Sequence, residues 1–241
     1  MDLVSFYGQH VQEEVTDFRF IGLKEFLVSH FQDRSVADIG CGTGALILEL
    51  SRDGYEVAGF EPTPELFALA RDLQLRSRLE YPLFNLGVDQ MTASMFSSFR
   101  NFILIDVLEH LENDREAARK ICSLMPPGAQ LLCLVPAFPA LYGKRDRAVG
   151  HFRRYSRRAI RELFAACAFR EVEVLHWNAV GVPAYWFFEK VLHTTVPEGF
   201  RLHRTTGFRR ALNRLLLLWF RSVENRVSLP FGLSMLVRAV K

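Results

Sequence analysis

The 241-residue sequence has only four cysteines, Cys41, Cys122, Cys133 and Cys167, and no two of them form a C-x-x-C pair. That argues against a disulfide-stapled scaffold and against a cysteine-rich zinc module, and predicts reduced thiols acting as small hydrophobes in a cytoplasmic protein. Long apolar runs are scarce as well. The longest outside the strand-like stretches is LLLLWF at 215–220, far short of the ~18 residues that a membrane span requires. The opening MDLVSFYGQH lacks the basic-then-apolar pattern of a secretory signal. No internal repeat or low-complexity tract interrupts the chain. What is present, 49% hydrophobic and 24% charged residues, is ordinary for a soluble globular protein. The length suits one α/β domain with insertions and a sizeable core.

The charge is unevenly spread. Residues 1–143 carry 11 Lys/Arg against 20 Asp/Glu, a balance of −9, whereas 144–241 carry 19 against 7, a balance of +12. The second portion is suited to phosphate, an anionic membrane or an acidic substrate, or to a solvated basic face. No recognised nucleic-acid-binding module accompanies it, so nucleic acid is not an expected partner.

Patterning alternates between the two periods. Residues 10–31 read as an amphipathic helix carrying Val11, Val15, Phe18, Ile21 and Leu27. Strands are predicted at 36–39, 55–60, 79–84, 101–107, 129–136 and 171–176. Helices are predicted at 45–51, at 65–73 behind Thr63 and Pro64, at 113–124, and after Ser156, where Ala159, Ile160, Leu163, Phe164 and Cys167 share a face. Such alternation predicts one doubly wound parallel sheet, with ligands beyond the carboxyl ends of its strands at the topological switch point.

The stretch VADIGCGTGALILEL, residues 36–50, stands where that rule puts a ligand loop. A phosphate-cradling P-loop needs a Gly-Lys-Ser/Thr ending, but Gly44 is followed by Ala45 and Leu46. Gly40, Gly42 and Ala45 do satisfy G-x-G-x-x-G/A, and Glu61, 21 positions past Gly40, suits a ribose diol. Asp38 argues for a different ligand. Inside the strand and two residues before the first glycine, its carboxylate is awkward beside a pyrophosphate and useful beside an ammonium group.

DIGCGTG at 38–44, the Glu61 of GFEP and FILIDVLEHLEND at 102–114, in that order, resemble the class I S-adenosylmethionine (SAM) methyltransferases over about residues 36–170. The resemblance implies a seven-stranded Rossmann-like sheet and SAM as methyl donor. It implies that Gly40, Cys41, Gly42, Thr43 and Gly44 approach the methionine part of SAM with Asp38 organising that end, and that Glu61-Pro62 holds the ribose. Asp89 and Gln90 fall where the family binds adenine, although Gln90 departs from the small residue often found there; Asp106 falls beside the transferred methyl. The N-terminal helix is similar to a segment that closes over the cofactor with aromatics, here Phe18 and Phe20, but Leu23 replaces the usual Arg.

Asp106, Glu109 and His110 spell D-x-x-E-H, and His151 follows in GHFRRYSRRAIREL. Some methyltransferases similar to this one, of ubiquinone biosynthesis and of small-RNA ends, carry E-x-x-E-H and a later histidine that bind a divalent cation. The resemblance makes Asp106, Glu109, His110 and His151 a candidate metal set, with Asp106 shortening the reach of the usual Glu. His110 and His151 are equally candidates for general base.

After the fifth strand, PAFPALYGKRDRAVGHFRRYSRR reads as a loop on the ligand side of the sheet. Tyr142, Arg145, His151 and Tyr155 are candidate acceptor contacts, and Arg153, Arg154, Arg157 and Arg158 a solvated face or a phosphate contact. The chain closes with LPFGLSMLVRAVK, similar to the last antiparallel strand of the same families. Between it and the sixth strand lies an insertion, 181–229, rich in aromatics and arginines. It suits an interfacial helix resting on lipid, a lid over a greasy acceptor, a dimer face, or a helix pair packed on the sheet.

The expected organisation is one methyltransferase domain: an N-terminal helical cap (1–33), a core (34–180), the helical insertion (181–229) and a closing strand (230–241). The expected activity is methyl transfer from SAM to a small-molecule acceptor, oxygen favoured and hydrophobic or lipid- or glycan-linked, in a cytoplasmic protein with peripheral membrane contact through the insertion. An NAD-dependent oxidoreductase using G-x-G-x-x-A and a non-catalytic SAM-binding module are the alternatives, because this sheet hosts many chemistries.

Overall fold

The computed structural model describes residues 15–192, 194 and 207–241. Seven strands form one sheet: β1 (Ser35–Ile39), β2 (Glu56–Phe60), β3 (Leu83–Phe84), β4 (Asn101–Ile105), β5 (Gln130–Pro136), β6 (Glu171–Trp177) and β7 (Ser234–Val240). Their order is β3-β2-β1-β4-β5-β7-β6, as the doubly wound reading requires. All pairs are parallel except those of β7, which runs antiparallel between β5 and β6 from Gln130↔Val240 to Trp177↔Ser234.

Helices cover both faces: α1 (Phe18–His30), α2 (Ala45–Arg52), α3 (Pro64–Ser77), α4 (Asp114–Leu124), α5 (Lys144–Ala148), α6 (Arg157–Ala165), α7 (Gly181–Trp186) and α8 (Gly207–Trp219). The central strands alternate their side chains between two cores. Phe102, Leu104, Leu131 and Cys133 face one, with Ile121 of α4 and Phe164 of α6. Ile103, Leu132 and Leu134 face the other, with Leu27 of α1, Ile47 of α2 and Trp177. Burial on both faces explains why β5 is apolar almost throughout. All four cysteines are free and buried.

Several boundaries differ from the sequence reading. The first described helix begins at Phe18, because 15–17 form a turn in which the carboxylate of Asp17 accepts the N–H of Arg19 at 2.6 Å; residues 10–14 of the expected helix lie outside the described residues. The third strand shrinks from 79–84 to 83–84, since Pro82 has no N–H to donate and β3 is an edge. The stretch after β5 is not wholly a loop, for it contains α5. Thr63 sits at the N-cap of α3 without a side-chain capping bond, whereas Ser156 does cap α6.

Each described helix of the insertion ends in a wider π-type turn, α7 through Phe187–Val191 and α8 through Phe220–Glu224. The end of α8 packs on α1 and on β6. The ring of Phe220 lies 5.4 Å from that of Phe18 and 4.9 Å from that of the fully buried Trp177. Among the described residues, no helix is long and apolar enough to cross a membrane.

β1 lies between β2 and β4. The chain therefore leaves β1 and β4 toward opposite sides of the sheet, which opens a crevice at their carboxyl ends. Both the glycine loop and D-x-x-E-H emerge there.

Candidate active site

The glycine loop is built by backbone conformation. Gly40 and Gly42 have φ of +81° and +55°, values that residues with a Cβ adopt at a cost. The N–H groups of Gly40 and Cys41 both donate to the carbonyl of Phe60, at 2.7 and 3.0 Å, and lash the loop to the end of β2. A Cβ on Gly40 would lie 2.5 Å from Cγ2 of Val107, so the loop after β1 touches the loop after β4. A Cβ on Gly42 would meet nothing within 4 Å: this glycine faces open space. Gly44 caps α2, and Thr43 beside it is buried.

Two carboxylates bracket the loop. Glu61, 4% exposed, accepts the N–H of Gly42 and that of Thr63, both at 2.9 Å. Asp38 is buried and its Oδ1 has no partner. Burial, and then the charge of Glu61, push its carboxyl up to about 8. A buried acid with an open oxygen thus stands beside a cradle of glycines, where it could accept a cationic ligand. Pro62 is exposed, and so are Asp89 and Gln90 in the single turn 88–90, where Gln90 accepts the N–H of Gly87 at 2.9 Å.

At the end of β4, Asp106 adopts φ of +53°. Its carboxylate lies 3.7 Å from the guanidinium of Arg19 on α1. Glu109 is fully buried and neither of its oxygens has a hydrogen-bond partner. Burial raises its pKa strongly, and the neighbouring Asp106 adds to the shift. The rings of His110 and His151 meet edge to face at 4.7 Å. Burial, followed by the proximity of His151, lowers the pKa of His110 and favours its neutral form. One ligand-type atom from each of Glu109, His110 and His151 lies within 4.8 Å of the others. Asp106 falls outside that set of three.

His151 is held from behind. Its Nδ1 lies 3.0 Å from Oδ1 of Asp146, while Nε2 lies 3.8 Å from Oε1 of Glu109. Asp146 is 1% exposed and also accepts from Nε of Arg154, the hydroxyl of Tyr185 and the N–H of Gly143, each at 2.9 Å. Burial opposes its ionisation, but the bonds from His151, Arg154 and Gly143 outweigh that and hold its carboxyl well below the usual carboxylate range. The guanidinium of Arg154 also stacks over the ring of Tyr185, 4.4 Å from its centre.

Residues 8–174 match the profile of a family described as a methyltransferase domain. The chain belongs to that family. It is 31% identical over 96 residues to a ubiquinone biosynthesis O-methyltransferase of Xanthomonas euvesicatoria, a match covering 40% of each protein, so the segment aligned with this curated relative spans well under half its length. The fold is also that of a SAM-dependent methyltransferase from Archaeoglobus fulgidus (14% identity, 98% of this chain and 100% of that one, TM-score 0.59). It is likewise that of phosphoethanolamine N-methyltransferase 2 from Haemonchus contortus (14% identity, 91% and 52%, TM-score 0.61).

Within this methyltransferase domain the structure sorts the remaining sequence candidates. The hydroxyl of Tyr142 donates to the carbonyl of His151 at 2.8 Å, and the N–H of Arg145 donates to Glu189 at 3.1 Å. Tyr155 is buried with its hydroxyl on Asp114 at 2.8 Å. Arg154 is buried rather than part of a solvated face, because Asp146 draws it inward. Arg153 pairs with Asp114, Arg157 donates to the carbonyl of Val174, and Arg158 pairs with Glu162. Phe18 packs on Phe220. Sequence reasoning missed Arg19, Asp146, Tyr185 and Glu189. Asp146 did leave a signal, as the only acid between Glu116 and Glu162.

Proposed function

We propose that the chain transfers the methyl group of SAM to an oxygen of a small, amphiphilic acceptor. The observation that carries this is the contact between Gly40 and Val107: it sets an open glycine cradle, with a buried and unsatisfied Asp38, against the loop that bears Glu109, His110 and, next to them, His151. The residues fit SAM. Gly42 leaves room for close approach, Asp38 offers a carboxylate oxygen to an ammonium, and Glu61, steadied by Gly42 and Thr63, has lone pairs to spare for ribose hydroxyls. Asp89 and Gln90 are assigned to adenine and Asp106 to the methyl end. When bound, SAM supplies a methyl carbon already activated by the positive sulfur, so the protein's work is chiefly positioning.

For an oxygen acceptor a proton must leave. Nε2 of His151 is the assigned base, with Nδ1–H held by Asp146 so that the lone pair of Nε2 points away from that carboxylate. With SAM bound, the acceptor's proton would pass to Nε2 of His151 as its oxygen took the methyl group, the carbon–sulfur bond of the sulfonium breaking to leave a neutral thioether. The partial match to an O-methyltransferase supports oxygen over nitrogen.

A second reading is favoured by Glu109, whose two buried oxygens have no hydrogen-bond partner. A divalent cation would satisfy them, and Glu109, His110 and His151 fit one as an oxygen-and-imidazole set. Such an ion would supply Lewis acidity to an acceptor hydroxyl.

Calorimetric titration with SAM and with NADH, followed by transfer of labelled methyl to a panel of phenols and alcohols, tests the proposal. SAM should bind and a hydroxyl compound should be labelled. Binding of NADH without SAM would make the chain an oxidoreductase, and SAM binding without turnover on any acceptor would make it a binding module.

A further inference from the structure

The helix α8 has two unlike faces. Its inner face packs on α1: Asn213 accepts the N–H of Phe18 at 3.2 Å, and Phe220, just after the helix, is fully buried so close to Gly22 that a Cβ there would lie 2.8 Å from its ring. The outer face carries Leu212, Leu215, Leu218 and Trp219, which at 3.6 residues per turn lie on one stripe. They are 41%, 63%, 56% and 38% exposed. Leucines this exposed, neighbouring one another, mark a contact surface. Trp186, at the end of α7, and Phe187 after it are exposed as well.

Charge decides between occupants. Between residues 207 and 226 there are five arginines, of which Arg221 pairs with Glu25 on α1, and a single acid, Glu224. Glu224 is buried, where its carboxylate accepts the N–H groups of Asn178 and Ala179 and the indole N–H of Trp219. Among its described residues the segment turns no carboxylate outward, and Arg214 is exposed at the border of the leucine stripe. A second copy docked on the same stripe by a two-fold axis would set arginines against arginines. An anionic lipid surface meets both features at once, taking the leucines and the tryptophan ring below its headgroups and the arginines among its phosphates.

We infer that α8 is an interfacial helix that seats the protein on an anionic membrane surface. Because α1, on which α8 rests, also carries Arg19 to Asp106, the docked helix holds the site near the surface, where acceptors with apolar tails are concentrated. The inference does not depend on methyl transfer, since vesicle binding is read without turnover.

The test is flotation of the 241-residue chain with phosphatidylcholine vesicles, with and without about 30% phosphatidylglycerol, at low and high salt. The same assay is run on L215E/L218E and R209Q/R210Q/R214Q, with SAM titration and sedimentation velocity alongside. Wild type should float with the anionic vesicles only, and salt should weaken the binding. Either variant should partition at least about tenfold less while binding SAM as wild type does. The inference is overturned if wild type stays behind with anionic vesicles, or if neither variant changes its partitioning. It is equally overturned if wild type is a dimer that L215E/L218E separates, which would assign the stripe to a second copy.

Discussion

Nδ1 of His151 lies 3.0 Å from Oδ1 of Asp146, a carboxylate that also takes bonds from Arg154, Tyr185 and Gly143. Asp146 is thereby a positioning residue for the assigned base, and two substitutions separate its roles. Asp146→Ala leaves the buried guanidinium of Arg154 unpaired and should cost about 3–5 kcal/mol of stability. Asp146→Asn keeps the shape but no longer selects the Nδ1–H form of His151. It should lower kcat about tenfold or more while the Kd for SAM is unchanged. A parallel loss of SAM affinity would show that Asp146 acts only through the fold.

The same carboxylate predicts an acid limb of stability. Its pKa in the folded chain lies below the ordinary value of 3.8, so its contribution is present above that value and is lost as the pH falls from there toward the folded pKa. Thermal melts of wild type between pH 6 and pH 2 should show this loss at the acid end, where each tenfold difference in proton affinity between folded and unfolded chain is worth ~1.4 kcal/mol. Asp146→Asn should give a flatter profile, and identical profiles would remove Asp146 as the source.

The loop and the sheet were legible for local reasons, and the far side of the site was not. Buried β1, β4 and β5 appear as short apolar runs, and glycines at 40, 42 and 44 mark positive φ. D-x-x-E-H is contiguous, so its convergence with His151 needed only the β5 connection to return to the end of β4, as it does through the bond from the N–H of Phe152 to the carbonyl of Glu109. Arg154 was misread because a cation among cations looks solvated until its one acid, Asp146, is found to be buried. Tyr185 and Glu189 come from the insertion, some forty residues away in sequence. No local pattern announces such a contact, and it follows only from how α7 packs over α5.

Asp38 predicts a trade between stability and binding. With its pKa raised to about 8 from 3.8, its contribution is most favourable below the unfolded value and is lost as the pH rises through the folded one. Asp38→Asn removes that cost, so the ligand-free variant should melt higher than wild type at pH 8, by a few kcal/mol in the direction given by desolvation. It should also bind SAM at least about tenfold more weakly, having lost the charge opposite the ammonium. Lower stability together with unchanged SAM affinity would dissociate Asp38 from the cofactor.

Gly42 and Gly40 differ in what a methyl group would meet. Gly42→Ala introduces a Cβ into open space at φ of +55°, so the free protein should lose only about 1 kcal/mol while SAM binding falls steeply. Gly40→Ala drives a Cβ to within 2.5 Å of Val107 and should destabilise the free protein by more, about 1–3 kcal/mol beyond the backbone cost. Equal stability losses with intact SAM binding in Gly42→Ala would place the cofactor elsewhere.

Glu109 separates the two readings of the histidine pair. Both of its oxygens are buried without a hydrogen-bond partner, and burial favours its neutral form in the protein without a cation. If a divalent cation belongs there, Glu109→Gln weakens zinc or magnesium binding by about 10–100-fold, and activity lost on chelation returns with added metal in wild type but poorly in the variant. If His151 acts as a base without an ion, chelated wild type keeps its activity, none of these metals binds in calorimetry, and Glu109→Gln retains most of its kcat because a neutral amide replaces a neutral acid of the same shape. His151→Ala abolishes O-methylation under either reading. Metal titration of Glu109→Gln is therefore the measurement that assigns the chemistry.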